Sequence, residues 1–443
     1  MAFNLIRNSR VFWTSNVNTT TGAVKADGFL PSNTREIQVL EGFSFSQNTT
    51  SETVTLNEAG ATPVRGQRSF NTALDPADFS FTTYMRPQDA GTNITAEEAV
   101  LWNAMFSSSD YSATAPVAVN SGSYVVGTKY TITSLSDGLG GSTTSFTSIG
   151  ASANTVGVVF TATGVGSGTG TATPVSTRAW TDGTTSAVCT VTNSDKHQLL
   201  PFGLVIIVDD TTFVIDNCVL NTATIDFGLD AIASVQWAGQ GGSLRQITSP
   251  TVTPNTNLTI GGALSGTLVG TFLQKVTSCP YIANKLSVVT LDEEIGSGGT
   301  AYNVALTGGS LTISNNVTYL TPANLATVNK PVTYFTSTRA ISGSLNAYLR
   351  TGSGNTAVLM SSMLANSATA VNPAFYMKIS IGGTGTTKVD FEMPAVVLTI
   401  PTVNAEQVVS TTINFTAQGY TGAAFDIGAA NELTITYTTP NAA

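Results

Sequence analysis

Few side chains in this sequence have the type and spacing that catalysis requires. His197 is the only histidine, so a Ser–His–Asp arrangement would have to use it. No nucleophile motif surrounds His197, and the preceding Ser-Asp-Lys at residues 194–196 predicts a turn. We therefore interpret His197 as a structural residue.

Glycine-rich and acidic segments are the other candidates for chemistry. Four glycines alternate over residues 164–170, but their spacing fits neither the dinucleotide fingerprint nor the Walker pattern. The acidic runs at residues 209–210 and 292–294 have oxygen ligands for a hard cation, yet both lie where solvated turns are expected. The sequence thus predicts no enzyme, no cofactor and no metal site.

The three cysteines do not form a metal or redox motif. Cys189, Cys218 and Cys279 are odd in number and widely spaced, which fits neither a zinc site nor a disulfide framework. We expect reduced and mostly buried thiols, as in a protein made in the cytoplasm. A disulfide between two of them is the less favoured alternative.

The composition excludes several functional classes and favours an assembled protein. Of the 443 residues only 10% are charged, and the net charge is −9. A nucleic-acid binder needs clustered Lys and Arg, and a disordered chain has fewer apolar residues than the 42% found here. The apolar run at residues 199–208 is too short to span a membrane, and the first residues lack the pattern of a secretory signal. A soluble monomer usually carries more charge on its surface. The low fraction of charged residues therefore favours a protein whose surface is largely covered by other copies of the same chain.

The elements that must position any site are predicted to be mainly β-strands. Segments such as Phe-Ser-Phe-Ser-Gln at residues 43–47 alternate apolar and polar side chains between Gly, Asn and Asp turns. Two helices are predicted, at residues 95–106 and 356–364. Thr95 and Glu98 have the spacing of a capping box for the first, and Asn355 is the expected cap of the second.

An internal repeat organises the chain. Both helices fall at corresponding places in two series of similar segments, in the same order. The matched pairs of segments are 42–48 with 309–315, 80–86 with 344–350, 235–241 with 413–419, and Asn8 with Asn284. This order predicts two tandem domains of one β-rich fold.

The repeat also sets the expected domain boundaries. The first domain comprises residues 1–115 and 177–245, and the second comprises residues 271–443. Residues 116–176 are Gly/Ser/Thr-rich, have no counterpart in the second domain, and predict a small inserted β module. Residues 246–270 are polar with two prolines early in the segment, which predicts a linker.

Several longer motifs resemble one protein family. They are Leu-Ile-Arg-Asn at residues 5–8, Asn-Glu-Ala-Gly at 57–60 followed by Arg-Gly at 65–66 and Phe-Asn at 70–71, and Asn-Asn-Val-Thr-Tyr-Leu-Thr-Pro at 315–322. Together they resemble the major tail tube protein of long-tailed bacteriophages, in the form with two tube domains in one chain. The likeness covers nearly the whole chain outside the insert and the linker.

The resemblance implies a fold and a function. The fold would be mainly β, with two tandem tail-tube domains of sandwich or barrel type, each with one α-helix. Three chains would form a ring in which six domains mimic a hexamer, and stacked rings would form the hollow tube of the virion tail. The partners would be further copies of the chain, the tail terminator, the tape measure protein and distal tail or baseplate proteins, with double-stranded DNA passing through the lumen unbound and no membrane contact.

One face of the matched strands is predicted to line that lumen. Phe43, Phe45, Phe79 and Phe81 alternate with small polar residues, and the second domain repeats the pattern. The predicted luminal residues are Ser44, Ser46, Ser80, Thr82, Thr312, Ser314, Ser344 and Asn346, with Asp226 and Asp230 as luminal or inter-subunit acids.

The loop at residues 56–71 is long for a hairpin, and long structured loops usually have a function. We expect it to reach a neighbouring subunit or the next ring and to set the stacking register; a self-packed surface loop is the alternative. The residues assigned to this role are Asn57, Glu58, Gly60, Arg65, Gly66 and Phe70, with Glu58 and Arg65 as an expected ion pair.

A second functional class stays open from sequence alone. The Gly/Thr/Ser-rich insert is typical of a receptor-binding or carbohydrate-binding β protein of a tail fibre or adhesin. The duplicated units and the shortage of aromatic residues for sugar stacking argue against it.

Overall fold

A computed structural model gives the fold of the chain. It describes residues 9–18, 20–25, 33–54, 67–89, 93–109, 118–126, 129–136, 138–139, 142–174, 178–191, 199–208, 211–247, 250–253, 257–260, 267–269, 281–293, 301–369, 375–383, 387–404, 409–420 and 431–439. His197, Cys279, the acidic turn at 209–210, Glu294 and the loop residues Asn57, Glu58, Gly60, Arg65 and Gly66 lie outside these ranges.

The chain forms two compact units, one of residues 1–111 with 179–443 and one of residues 112–178. In the larger unit, the elements before the smaller one are β1 (Ser9–Thr14), β2 (Thr34–Ile37), β3 (Ser44–Ser46), β4 (Thr49–Val54), β5 (Arg68–Leu74), β6 (Ala77–Tyr84), β7 (Pro87–Asp89), β8 (Ile94–Ala96) and α1 (Ala99–Phe106).

The smaller unit is a four-stranded antiparallel sheet with its own aromatic core. Its strands are β9 (Val119–Asn120), β10 (Lys129–Ser134), β11 (Val159–Thr161) and β12 (Thr171–Pro174). Tyr124, Tyr130, Phe146 and Phe160 are buried together, with Tyr124 and Tyr130 ring centroids 4.9 Å apart. Gly166 and Gly168 have positive φ values of 79° and 97°, so the glycine run serves turns of this sheet.

The larger unit continues with strands that return to the same core. They are β13 (Trp180–Thr181), β14 (Ala187–Thr190), β15 (Phe202–Val208), β16 (Thr211–Asp226), β17 (Ser234–Gly241) and β18 (Ser243–Ile247). Three short antiparallel strands follow where a linker is expected: β19 (Pro250–Thr253), β20 (Asn257–Ile260) and β21 (Thr267–Val269).

The last part of the chain contains the second helix. Its elements are β22 (Val288–Asp292), β23 (Ala301–Asn303), β24 (Leu306–Ser314), β25 (Val317–Leu320), β26 (Thr333–Thr336), β27 (Ala340–Tyr348), α2 (Thr356–Thr369), β28 (Phe375–Gly382), β29 (Lys388–Leu398), β30 (Thr402–Asn404), β31 (Ser410–Gln418) and β32 (Thr434–Thr438). We call β1–β8, α1 and β13–β18 the first half, and β22–β32 with α2 the second half.

The same strand pairings occur in both halves. In the first half, β1 pairs with β2 and β15, β16 with β15, β17 and β18, and β6 with β17 and β3. In the second half, β22 pairs with β23 and β28, β29 with β28, β31 and β32, and β27 with β31 and β24. The hairpins β4–β5 and β25–β26 also correspond.

The pairings fix which residues of the two halves are equivalent. Ser234 pairs with Tyr84 and Ser410 with Tyr348, so the expected match of Tyr84 with Tyr348 agrees with the pairing. Three other matches were shifted. Trp13 pairs with Leu204 as Leu291 pairs with Met377, so Ser9 corresponds to Ser287 and the match of Asn8 with Asn284 moves by two residues. Ser44 pairs with Ser80 and Ser310 pairs with Ser344. Ser44 therefore corresponds to Ser310, one residue before the Leu311 that the sequence match gives. The match of β17 with β31 moves by two residues, so that Ser234 corresponds to Ser410.

In each half a long strand passes from one sheet to another. Residues 211–218 of β16 pair with β15, and residues 219–225 pair with β17. Asn217 lies near the end of the first stretch with a φ of 52°, and the register with β15 shifts there, between Ile215 and Cys218. Such a bulge bends a strand and lets it serve two packed sheets. Across the core between the sheets, the rings of Phe79 and Phe202 contact each other edge to face at 6.2 Å.

The first helix lies wholly inside this core. All eight residues of α1 are buried, and Trp102 contacts Trp237 edge to face with centroids 4.7 Å apart. The predicted capping box was wrong: Thr95 belongs to β8, the helix begins at Ala99, and Glu98 makes no side-chain cap. The second helix begins after Asn355 as expected and extends to Thr369.

No helix among the described residues is long and apolar enough to cross a membrane. Cys189 and Cys218 are free and buried, in agreement with the expected reduced thiols.

Candidate functional site

The two halves join through one continuous antiparallel sheet. Strand β16 of the first half pairs with β17 on one side and with β24 of the second half on the other. In spatial order the sheet runs β3, β6, β17, β16, β24, β27, β31 and then β29 with β30, so each half contributes four strand positions. We call it the shared sheet.

One face of the shared sheet is apolar and belongs to the core. Phe79, Phe81 and Trp237 are buried on it in the first half, and Leu345 and Phe415 in the second. Gly239 faces Phe79 across two strands, and Gly343 faces Phe415 at the equivalent position of the other half. In the first half the phenylalanine is on β6 and the glycine on β17, whereas in the second half the glycine is on β27 and the phenylalanine on β31. Each pair therefore combines one large and one small residue, which keeps the packed volume similar.

The opposite face carries hydroxyl and amide groups, and we call it the polar face. Cross-strand hydrogen bonds link its side chains: Ser44 Oγ lies 2.8 Å from Ser80 Oγ, and Ser310 Oγ lies 3.2 Å from Ser344 Oγ. The residues on this face include Ser44, Ser46, Ser80, Thr82, Thr224, Asp226, Gln236, Thr312, Ser314, Ser344, Asn346, Thr412 and Asn414.

Nine of the ten residues predicted to line a lumen thus share one face. Asp230 does not, because β16 ends at Asp226 and Asp230 is exposed in the turn that follows. Within the described part of the shared sheet, Asp78 and Asp226 are the charged residues on the polar face, at opposite ends of their strands. Asp78 accepts a hydrogen bond of 3.0 Å from Gln240 Nε2. Sequence reasoning missed Asp78, although its alternation with Phe79 and Phe81 could have identified it.

The predicted loop residues are only partly described. Phe70 lies on β5 and its side chain is 54% exposed; the other five lie outside the described ranges. In the second half, the equivalent hairpin β25–β26 packs on the first half: the Tyr334 hydroxyl donates a hydrogen bond of 2.5 Å to the Leu199 carbonyl, and Tyr319 donates to the Asn217 carbonyl.

A buried polar network makes a second link between the halves. The Tyr437 hydroxyl, on β32, donates a hydrogen bond of 2.5 Å to Glu98 and accepts one of 2.8 Å from Trp102 Nε1, on α1. Beside this network, β32 pairs with β14. Sequence analysis missed the network because its members are more than 300 residues apart.

Burial changes the titration of Glu98. Its side chain is 1% exposed, and desolvation raises its pKa to about 7, against the opposing effect of the Tyr437 hydrogen bond. The same burial, with Glu98 beside it, holds the pKa of Tyr437 well above its usual value. The carboxyl group is therefore protonated at mildly acidic pH, where the junction carries no unpaired charge.

No group of three or more His, Cys, Asp or Glu that could hold a metal ion occurs among the described residues. Among the described residues, the candidate functional site is the shared sheet. It has a hydroxyl-rich face, an apolar face within the core, and a junction between the halves that is held by backbone hydrogen bonds.

Comparison with known proteins identifies a relative along nearly the whole chain. The chain is 28% identical over 426 residues to the tail tube protein pb6 of Escherichia phage T5, a match that covers 94% of this chain and 73% of that protein. No family model matches the chain.

The Glu98 network predicts a pH-dependent stability. The carboxyl pKa is about 7 in the folded protein, against 4.5 for an unperturbed glutamate, so the folded protein binds the extra proton between these values. The contribution of Glu98 to the free energy of unfolding is therefore largest below pH 4.5 and is lost as the pH rises through 7. Between pH 5 and pH 8 the free energy of unfolding should fall by about 2 to 3 kcal/mol because of Glu98.

Chemical unfolding of the unassembled protein at both pH values measures this effect. The Glu98→Gln variant should lose most of that pH dependence, whereas Glu52→Gln, at an exposed position on β4, should keep it. An unchanged pH dependence in Glu98→Gln would contradict the assignment.

Proposed function

Because this chain belongs to the tail tube protein family of long-tailed bacteriophages, we propose that three copies close into a ring and that stacked rings form the conduit for the genome. The chain is a structural protein of the virion tail. The single observation that carries the proposal is the shared sheet, in which two similar halves are already joined as neighbours in a ring would be.

The shared sheet has an open edge at each end. Within the described residues, β3 pairs only with β6, and β30 pairs only with β31. Each open edge presents unpaired backbone N–H and C=O groups, which readily pair with another chain. The edge strand β3 belongs to the first half and the edge strand β30 to the second half. The β30 edge of one copy is therefore suited to pair with the β3 edge of the next copy.

The junction inside the chain gives the expected register between chains. Thr224 pairs with Thr312 and Asp226 with Ser310 where β16 meets β24. The strand equivalences map Thr224 and Asp226 to Thr402 and Asn404. They map Thr312 and Ser310 to Ser46 and Ser44 of the next chain. The proposed contacts are therefore Thr402 with Ser46 and Asn404 with Ser44.

Closure of three shared sheets gives a passage of suitable width. Three chains with eight strand positions each form a barrel of 24 strands. At roughly 4.8 Å between strands and a tilt of about 45°, the backbone circle is roughly 50 Å across. Side chains narrow this circle, and a DNA duplex still fits.

The polar face would line this passage. Hydroxyl and amide groups bind water, and no Lys or Arg lies on the described positions of this face to hold phosphates. The carboxylates of Asp78 and Asp226 and the net charge of −9 repel DNA instead. We infer that DNA passes without specific binding, as ejection into the host cell requires.

The hairpin β4–β5 suits a contact that forms only on assembly. In the second half, Val317 and Tyr319 of the equivalent hairpin are buried against the first half. The pairings place Ser51 and Thr53 at the corresponding positions of β4. A hydroxyl-rich docking face stays soluble in a free subunit, whereas an apolar one would not. The loop at its tip, residues 55–67, would then reach the next chain or ring.

The remaining partners follow from the same role. A tube needs a terminator at one end, distal tail or baseplate proteins at the other, and a tape measure protein inside it during assembly. These partners, and assembly in the host cytoplasm, are part of the proposal.

Electron microscopy of the purified protein tests the proposal. The protein at high concentration should form long hollow cylinders. Deletion of residues 58–66 should leave soluble, folded protein without cylinders, because the loop that sets the stacking register is missing. As a control, circular dichroism should show the same β-sheet signal for both proteins.

Two results would count against the proposal. Failure of the intact protein to form cylinders under all assembly conditions would remove the tube role. Normal cylinders from the deletion variant would remove the role of the loop and leave the tube intact.

The position of Asp226 predicts an effect on DNA passage. Asp226→Lys places a cation on the polar face, where it attracts phosphates, so phage carrying this variant should release DNA more slowly. Asp230→Lys makes the same charge change in the turn beyond the strand and should have the smaller effect. Release of DNA from purified virions, followed by dye fluorescence, measures both rates. Equal rates for the wild type and Asp226→Lys, with normal tails, would show that Asp226 is not luminal.

A further inference from the structure

The two ends of the shared sheet differ. β16 and β24 are antiparallel, so Asp226 and Ser310 lie at one end, and Thr222 and Ser314 lie at the other. We call the first the turn end, because the turn at residues 227–233 follows it, and the second the hairpin end, because the hairpin β25–β26 follows it. A head-to-tail stack of identical rings joins unlike ends, so each end must fit the other.

Both hairpins carry an exposed phenylalanine at the same place. Glu52 pairs with Phe70 on β4–β5 as Thr318 pairs with Phe335 on β25–β26. The equivalence of β3 with β24 maps Glu52 to Thr318, so the two phenylalanines are equivalent. Their side chains are 54% and 55% exposed. An aromatic ring this exposed in both halves favours a surface that assembly covers.

The exposed rings face away from the body of the chain. The inner face of β25–β26 packs on the hairpin end of the first half, where the Tyr319 hydroxyl lies 3.2 Å from the Gln240 carbonyl. Side chains alternate between the two faces of a hairpin, so Phe335 is on the outer face. In the proposed ring, β4–β5 would lie in the same way on the neighbouring chain. That placement leaves Phe70 facing the next ring.

A pocket opens at the turn end, where the two halves meet. Its volume is about 210 Å³, and its lining includes Phe227, Leu229, Asn284, Lys285, Val288 and Leu306. Leu229 and Val288 are exposed, so apolar surface borders the opening. An apolar cavity of about 150 Å³ holds a benzene molecule. The pocket is therefore large enough for the ring of a phenylalanine side chain.

The charges beside the ring and beside the pocket are complementary. Residues directly opposite each other in an antiparallel pair lie on the same face, so Glu52 is beside Phe70, and both are exposed. Lys285 is exposed at the pocket. The other hairpin has Thr318 in place of Glu52. Charge therefore favours Phe70 over Phe335 as the occupant of this pocket.

We propose that Phe70 of one ring docks in the pocket at the turn end of the next ring, with Glu52 beside Lys285. The inference rests on the proposed tube and names the surface that its stacking hairpin meets. The occupant is a second copy of the chain, so each ring makes three such contacts with the next. Because the pockets lie a third of a turn apart, these contacts also fix the rotation between rings.

Charge reversal tests the contact. Lys285→Glu should raise the protein concentration needed for tube formation about tenfold, since three like-charge contacts per ring replace three ion pairs. Lys285 is exposed, so the fold of the free subunit should not change. Adding Glu52→Lys should restore assembly to within about twofold of the wild type. Thr318→Lys, the matched change on the other hairpin, should not restore it.

Cross-linking shows which copies are in contact. In assembled tubes of the variant with Glu52→Cys and Lys285→Cys, a bis-maleimide reagent long enough to span an ion pair should join the two cysteines. On a denaturing gel the products should extend well beyond three chains, because each link adds a chain from the next ring. Neither single variant should give this ladder, and nor should Thr318→Cys with Lys285→Cys.

The outcomes separate this contact from the tube itself. Equal assembly of the wild type and Lys285→Glu, or rescue by Thr318→Lys instead of Glu52→Lys, would overturn the contact and leave the tube intact. Normal tubes without cross-links, or products that stop at three chains, would do the same. Absence of tubes from the unmodified protein would overturn the proposed function together with the contact.

Discussion

The backbone hydrogen bonds between β16 and β24 are the constraint on which the arrangement depends. They turn two similar halves into one continuous sheet, and among the described strands that sheet has two open edges, which belong to different halves. An open edge is a liability for a β protein unless another strand covers it. The proposed ring covers both edges with copies of the same chain and needs no further element.

The two kinds of junction differ in chemistry. The junction within the chain contains Tyr319 and the Glu98–Tyr437 pair, which are buried, and Tyr334, which is partly buried. The proposed junction between chains uses backbone pairing and hydroxyl-rich surfaces. On the proposed docking face of β4, Ser51 and Thr53 stand where Val317 and Tyr319 stand in the second half, and such a hydroxyl-rich face favours ordered addition to a growing tube over aggregation.

Sequence reasoning predicted the elements better than their registers. The order of similar segments revealed the repeat, because five segments in the same order are hard to obtain by chance. The register of β3 and β17 was shifted because short Ser/Thr strands match almost equally well one or two residues away. The capping box at Thr95 failed because Glu98 is drawn to Tyr437, on the last strand of the other half. Asp230 was misplaced because nothing in the alternation of residues 225–230 shows that the strand ends at Asp226.

The number of chains in one ring tests the central claim most directly. An image reconstruction of the assembled tube by electron cryomicroscopy, at a resolution that traces the strands, measures this number and the pairing at the open edges. The account predicts three chains per ring, with β30 of each chain paired to β3 of the next. Rings of six whole chains, or edges left unpaired in the tube, would contradict it.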